Sequence, residues 1–424
     1  MRHPTSCAPA TMPLNASVST ALNAPAAVPL NPPAAMSPNA PAAMSPNAPA
    51  AVPLNPPPAI APIPPAATTA TTATTEPAAT TAADILAILL PHRRTLEATA
   101  PPHDITPTHF PYQLQQLRNL VAARRPIVLT LPGFPCKSPN PAKVIGRLPD
   151  EGERLALRFL DGLCARIGRR YAPGARLVIC SDGHIFSDLI GVPDPHVDAY
   201  NDALRAMIRT AGPSRPSHLS TFDLRDVYGD LPCDAKREHV LRRYAPSLEA
   251  LRAETKDTAA HGGETLRLYR GITRFLFEDT TGFEGTRSAL QRACRSRAYG
   301  VIRRSRAWGA LIAEHHPDAV RLSIHPQPRG AAKFGIRLLD APDAWMTPWH
   351  ACVLRQADGG VRLLRAADAA RLGRLVHRDG RPSHYVEEAG RPVPVPVPVP
   401  ASASASAPGP GRTVAQVTAS AIRR

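Results

Sequence analysis

Residues able to hold anions and to move protons fall at the points where this chain turns abruptly from apolar to polar. The run IVLTL leads into LPGFPCKSPNPAKVIG, residues 131–146. Pro132, Pro135, Pro139 and Pro141 fix φ there and withhold N–H donors. A loop so stiff at a strand end suits the capture of a small anion. Lys137 is its candidate cation, for a phosphate or for polarising a carbonyl, and Ser138 with the neighbouring amides its candidate phosphate donors. The competing reading is a proline-stiffened turn with solvated lysines. A second apolar run, RLVIC, stops at Ser181-Asp182-Gly183. Asp182 and Asp188 are candidate general acids or bases, with a helix cap or an arginine salt bridge as the alternative, and Ser181 is a candidate substrate-binding hydroxyl. Arg270 and Arg274 stand four apart on one helical face, a spacing suited to clamping a carboxylate or phosphate. Arg297 and Arg304 are explained nearly as well by a solvated basic face. His325 closes the stretch VRLSIH with Ser323 on the same side of the pleat, and a histidine there can exchange protons near neutrality. Trp349-His350 is expected either to line a side-chain pocket or to lie in the core.

The elements that must position these residues are legible from periodicity. ADILAILLPHRR (83–94) and FPYQLQQLRNLVAARR (110–125) are apolar at helical spacing. PIVLTLPG is a short, continuously apolar strand of the kind buried in parallel sheets. EGERLALRFLDGLCARIGRRY (151–171) predicts a helix, ARLVICSDG (175–183) a second buried strand, and DPHVDAYNDALRAMIRT (194–210) another helix. This β–α–β–α order predicts parallel strands joined by right-handed crossovers. SHLSTFDLRDVY (217–228) follows as a strand with Asp223 near its end, then helices over 266–280 and 295–316. AVRLSIHPQ, KFGIRLL and HACVLR predict further strands, as antiparallel additions to a mixed sheet. In such folds ligands collect at the carboxyl ends of the strands, where the loops after both leading strands fall.

Composition limits what surrounds this block. Residues 1–82 hold 19 prolines and one charge of each sign, and MSPNAPAA occurs twice in tandem. The chain closes with VPVPVPVP and ASASASAPGPG. Such segments bury too little apolar area to offset the entropy of ordering. The expected organisation is therefore a disordered arm over 1–82, one domain over 83–378 and a disordered tail over 379–424. Of the net charge of +16, +14 lies in 83–378. A basic surface suits nucleic acid, a membrane or anionic small molecules. No nucleic-acid-binding motif accompanies it, and no run approaches a membrane span. Seven cysteines without a CxxC pair argue against zinc and disulfides and for reduced thiols in the cytoplasm. His196-Val197-Asp198 matches the HxD of iron sites, but within a predicted helix rather than a jelly-roll strand, and HGGE (261–264) falls short of a nucleotide loop.

LPGFPCKSPNPAKVIGRLPDEGE, RLVICSDGHIFSDLIGV, LYRGITRFLFED, AWGALIAEHHPDAVRLSIHPQ and KFGIRLL, in this order, resemble the isonitrile (isocyanide) synthases of the pyoverdine/dityrosine biosynthesis group. The resemblance spans about 84–355 and covers neither arm. It implies a Rossmann-like α/β fold, with a mixed, largely parallel sheet and helices on both faces. It also implies condensation of an amino acid, typically tyrosine or tryptophan, with ribulose 5-phosphate. One sugar carbon then becomes the isonitrile carbon, with no metal or redox cofactor. Secondary metabolism is the implied setting, and a separate iron- and 2-oxoglutarate-dependent oxygenase is the implied consumer of the product. On that reading Lys137, Asp182, Asp188 and His325 are catalytic candidates. Ser138, Ser181, Arg270, Arg274, Ser323 and Trp349 are then substrate-binding. An N-formyl amino acid-forming enzyme of the same family, or a non-catalytic protein docking through proline-rich arms, are the alternatives.

Overall fold

The structure, a computed structural model, describes residues 75–95, 105–211, 216–257, 263–341 and 346–388. The expectations of disorder for 1–74 and 389–424 lie outside the described residues. Helix α1 (Thr75–Leu89) opens the described part, and α2 (Pro111–Ala122) packs against it. Then β1 (Ile127–Gly133), α3 (Glu151–Arg170), β2 (Ala175–Ser181), α4 (Gly183–Ile190), α5 (Asp194–Ala211) and β3 (Leu219–Phe222) follow in the predicted alternation. Four helices come next: α6 (Leu224–Tyr228), α7 (Cys233–Tyr244), α8 (Leu248–Lys256) and α9 (Glu264–Asp279). The 29-residue α10 (Arg287–His315) returns the chain to β4 (Val320–Ser323) and β5 (Phe334–Gly335).

These five strands form one all-parallel sheet in the order β3-β2-β1-β4-β5. Strand β2 shows why both faces are covered. Leu177 and Ile179 point into the cluster with Leu157, Leu160, Leu163 and Ile167 of α3, all fully buried. Val178 and Cys180 point the other way, into Trp308, Leu311 and Ile312 of α10. With alternate residues committed to opposite apolar layers, the strand reads as an unbroken apolar run. The chain order reverses direction between β1 and β4, which makes the crevice at their carboxyl ends the expected ligand site.

Two expectations need correction. Of the three late stretches expected as antiparallel additions, β4 and β5 join the main sheet in parallel, and only HACVLR lies outside it. β6 (Cys352–Arg355), β7 (Val361–Leu364), β8 (Gly373–Arg378) and β9 (Arg381–Glu387), with the short α11 (Ala366–Leu372), form a separate four-stranded sheet in the order β7-β6-β9-β8. The domain limits also move outward. Residues 75–82 belong to α1, where Ala78 and Ala82 are buried, and β9 lies beyond residue 378. Its Tyr385 pairs with Leu354 and Leu375, closing the small sheet's own core. The polar look of RPSHYVEE hides this, because two of its three buried residues, Ser383 and His384, are polar.

Candidate active site

The loop from β1 to α3 is built before any ligand arrives. Phe134 has φ near 54°, a left-handed conformation costly for a bulky residue. It is buried and packs on Trp349 at 5.0 Å between ring centroids. The Ser181 hydroxyl lies 3.0 Å from the Phe134 carbonyl and 2.9 Å from Asn201 Oδ1, pinning that turn to the end of β2. The Pro135 carbonyl lies against Gly183, where an added Cβ would come within 2.1 Å of it. The Ser138 amide donates to the Trp349 carbonyl at 2.9 Å. Trp349 in turn sits over the β1–β4 gap: a Cβ on Gly133 would meet its Cη2 at 3.1 Å and Ile324 Cγ2 at 3.7 Å.

Lys137 is not a surface cation. Its Nζ is 2.7 Å from Asp150 Oδ2, 2.8 Å from Glu153 Oε2 and 2.9 Å from the Pro348 carbonyl, and the residue is 3 % exposed. Three acceptors use all three ammonium donors. Burial alone would lower its pKa, but Asp150 and Glu153 outweigh burial and hold it above the ordinary value. Burial therefore does not free its amine for imine formation. Asp150 is pushed upward by burial and by Glu153, against the pull of Lys137. Asp150 and Glu153 also form the capping box of α3, so one cluster fixes both the loop and the helix start.

The loop's other lysine is differently placed. Lys143 pairs closely with Asp279 at the end of α9, lies 3.9 Å from Glu278, and stands 5.4 Å from the Phe275 ring centroid. Asp279 also accepts from the Ser138 hydroxyl at 3.1 Å and lies 3.8 Å from His350 Nε2. His350 Nδ1 is 3.1 Å from Thr347 Oγ1, and its ring meets Phe275 edge-on at 5.0 Å. About a third of the His350 side chain meets solvent. Even so, burial, then the charges of Lys143 and Lys137, push its pKa down to about 3, so it is neutral. His325 follows β4 and is open to solvent. Partial desolvation by the residues around it, then the charges of Arg94 and Lys333, lower its pKa despite that opening. Arg94 donates to the Ile324 carbonyl beside it. Asp182, at the end of β2, is half-buried with an Oδ1 that has no hydrogen-bond partner. Burial raises its pKa to about 7, with its own backbone N–H opposing. The crevice is thus lined by cations, two imidazoles whose pKa values are lowered, and a carboxyl that titrates near neutrality.

Several expected residues lie elsewhere. Asp188 is half-exposed and held by both guanidinium arms of Arg304, with Arg237 at 3.5 Å. Burial would raise its pKa, but these arginines bring it below the ordinary value, which makes it a structural ion-pair partner rather than a proton carrier. Arg274 is 76 % exposed and paired with Glu278 at 2.9 Å, and Arg270 is exposed. The face of α9 turned to the crevice carries Phe275 and Asp279, so no arginine clamp forms. Ser181 spends its hydroxyl on Phe134 and Asn201. The Ser323 hydroxyl accepts from the His325 amide at 3.1 Å, a turn-stabilising contact. Asp223 caps α6 and pairs with Arg205. The site members absent from the sequence reading are Lys143, Asp150, Glu153, Phe275, Asp279 and Arg94. Only Asp150 and Glu153 carried a signal, the spacing of a capping box.

A cavity of about 780 Å³ lined by Tyr112, Gln116, Arg125 and Arg321 opens at the amino-terminal ends of β1 and β4, away from these groups. Among the described residues no helix is long and apolar enough to cross a membrane.

Comparison with known proteins agrees with this layout. The family model described as pyoverdine/dityrosine biosynthesis protein matches residues 117–376. The chain belongs to the pyoverdine/dityrosine biosynthesis family. The L-tyrosine isonitrile synthase of Pseudomonas aeruginosa is 45 % identical over 282 residues, covering 64 % of this chain and 83 % of that protein. The L-tryptophan isonitrile synthase AmbI2 of Fischerella ambigua is 37 % identical over 304 residues, covering 71 % and 90 %. The crystal structure of the PvcA protein from Pseudomonas aeruginosa superposes with a TM-score of 0.66 at 41 % identity, covering 73 % of this chain and all of that one. Isonitrile synthases of this family are therefore the frame in which the crevice is to be understood.

Proposed function

We propose that this enzyme converts the α-amine of tyrosine or tryptophan into an isonitrile, with ribulose 5-phosphate supplying the isonitrile carbon. The observation that carries the reading is the convergence of Lys143, Arg94, His325 and His350 beside Trp349 and Phe275 at the β1–β4 crevice. An amino-acid carboxylate and a sugar phosphate both need cations, and holding the two reactants together removes much of the entropic barrier to their condensation. Lys143 has one close acceptor where Lys137 has three, so Lys143 keeps donors for a substrate oxygen. The substrate amine must lose protons to attack the sugar ketone, and the adduct must lose water. Carbon–carbon cleavage then leaves one sugar carbon on the nitrogen and releases the remaining fragments with phosphate. A carboxyl titrating near 7, as at Asp182, is matched to taking and returning such protons. His325, its pKa lowered, offers a second acceptor. The chemistry needs no metal or redox cofactor, and a separate iron- and 2-oxoglutarate-dependent oxygenase is the expected consumer of the product in a secondary-metabolite route.

The test is to incubate the purified chain with tyrosine or tryptophan and ribulose 5-phosphate and to follow product mass. Gain of one carbon on nitrogen as the isonitrile supports the reading. A product heavier by one water is the N-formyl amino acid and replaces it. No product from either amino acid removes it.

A further inference from the structure

Beside the crevice, on the β3 side of the sheet, the first turns of three helices meet. They bring together His184 of α4, Asp194 at the start of α5 and Cys233 at the start of α7. One imidazole nitrogen, one carboxylate oxygen and the thiol sulfur lie within 4.8 Å of one another. We propose that these three side chains bind a zinc-class divalent ion that ties the three helices together, independently of the proposed reaction.

Four observations support the site. His184 is largely buried, with 11 % of its side chain exposed, and its Nε2 has no hydrogen-bond partner. That atom lies 3.2 Å from Asp198 Oδ1 without the geometry of a hydrogen bond. A buried, unpartnered imidazole nitrogen costs free energy unless something accepts its lone pair or takes its proton. Second, Arg237 holds two of the ligating residues in place. Its guanidinium donates to the His184 carbonyl at 2.7 Å and to Asp194 Oδ1, which also accepts from Ser187 at 2.7 Å. Both contacts fall on Oδ1, and Oδ2 remains for a metal. Fixing of ligands by such outer contacts is what metal sites require. Third, a sulfur–nitrogen–oxygen set selects zinc or a similar metal over magnesium or calcium, its thiolate and carboxylate offsetting the ion's charge while Arg237 leaves the cluster one positive charge. Fourth, Cys233 is the one cysteine of the described six that is not buried, so an ion can reach it. Ligand atoms around tetrahedral zinc stand roughly 3.5 Å apart, so binding the ion requires these three side chains to draw together from separations of up to 4.8 Å. Asp198 or water completes the fourth position.

The HxD pair contributes only its aspartate to this neighbourhood. His196 turns away to Arg147 at 2.7 Å, while Asp198 faces His184. Ligands at 184, 194 and 233 have none of the spacing by which zinc sites are recognised in sequence.

The untagged full chain, stripped with a chelator and desalted, is titrated with cobalt(II) and then with zinc. One equivalent of cobalt should produce the near-ultraviolet thiolate-to-cobalt band, and zinc should displace it. Zinc should also shield Cys233, located by mass mapping, from alkylation in the unmutated chain. Cys233→Ser, isosteric and partly exposed, should abolish the band, and His184→Ala should weaken zinc binding by at least about tenfold. Each variant is compared by circular dichroism and melting. No cobalt band, an undiminished band in Cys233→Ser, or alkylation of Cys233 unaffected by zinc would each overturn the proposal. The alkylation result decides even if His184→Ala does not fold.

Discussion

Lys137 and Asp182 have opposite relations to stability and to chemistry, and single substitutions separate the two. Removing the Lys137 ammonium leaves Asp150 and Glu153 buried without their counter-ion. Breaking a buried pair in this way costs about 3–5 kcal/mol, so Lys137→Ala should unfold at markedly lower denaturant, and any loss of turnover should follow the loss of fold. A midpoint equal to the parent's would return Lys137 to the role of a free cation. Asp182→Asn removes a proton carrier from a half-buried position, and turnover should fall by roughly 10²–10⁴-fold without loss of stability. The pH dependence has a definite sign. The folded-state pKa of Asp182 is raised from the ordinary 3.8 to about 7, so the folded chain binds the proton more tightly than the unfolded chain. This group's contribution to stability therefore falls as pH rises from about 4 to about 7. Asp182→Asn should flatten that part of the stability profile, measured by denaturant titration across pH. An identical slope in parent and variant would place the carboxyl in solvent.

At the scale of elements, the crevice depends on how closely the β1 loop approaches the start of α4. Gly183 is inside the first turn of that helix, where alanine would ordinarily gain about 1 kcal/mol. Here its Cβ would collide with the Pro135 carbonyl and with Val197 Cγ1 at 2.5 Å. Backbone cannot yield as a flexible side chain does, so Gly183→Ala should destabilise by about 1–3 kcal/mol. It should also depress turnover by moving Ser138 and Lys143. Melting curves and product formation measured together test this, and a stabilised, active variant would show that the loop gives way freely. The register of the loop is held at its other end by Asn140, whose side-chain amide donates to the Glu278 carbonyl at 2.9 Å. Helix α9 thereby brings Asp279 to both Ser138 and Lys143.

At the scale of the molecule, the small sheet is part of the folded unit and its last strand is needed. β9 pairs in parallel with β6 and antiparallel with β8, and Glu151 at the start of α3 binds Arg355 of β6 and Arg378 of β8. A chain ended at residue 378 loses β9, exposes the edges of β6 and β8, and uncovers the apolar cluster around Leu354 and Leu372. It should aggregate or melt well below the parent, whereas a chain ended at 388 should melt with the parent. Equal melting of both would make β9 an appendage.

The alternation IVLTL–helix–RLVIC–helix determined by itself that the chain builds a parallel sheet covered on both faces. Apolar continuity in a strand is a local property that survives any tertiary arrangement. It also placed the two polar loops at the same edge, and its motifs carried the resemblance to the family. What tertiary structure alone decided is which charges meet. Lys137 and Lys143 are six residues apart in one loop and look alike in sequence. One is saturated by Asp150, Glu153 and a carbonyl, and the other is held at the crevice by Asp279, 136 residues further along. Asp188 and Asp182 are likewise neighbours in sequence, yet Arg304 takes the first while the second is left without a partner for Oδ1. An ionisable side chain's role is set by desolvation and by the charges within a few ångströms, and those neighbours come from α3, α9 and α10. β9 was illegible for a related reason: the fold buries Ser383 and His384 beside Tyr385, and buried polar side chains leave no apolar pattern in the sequence.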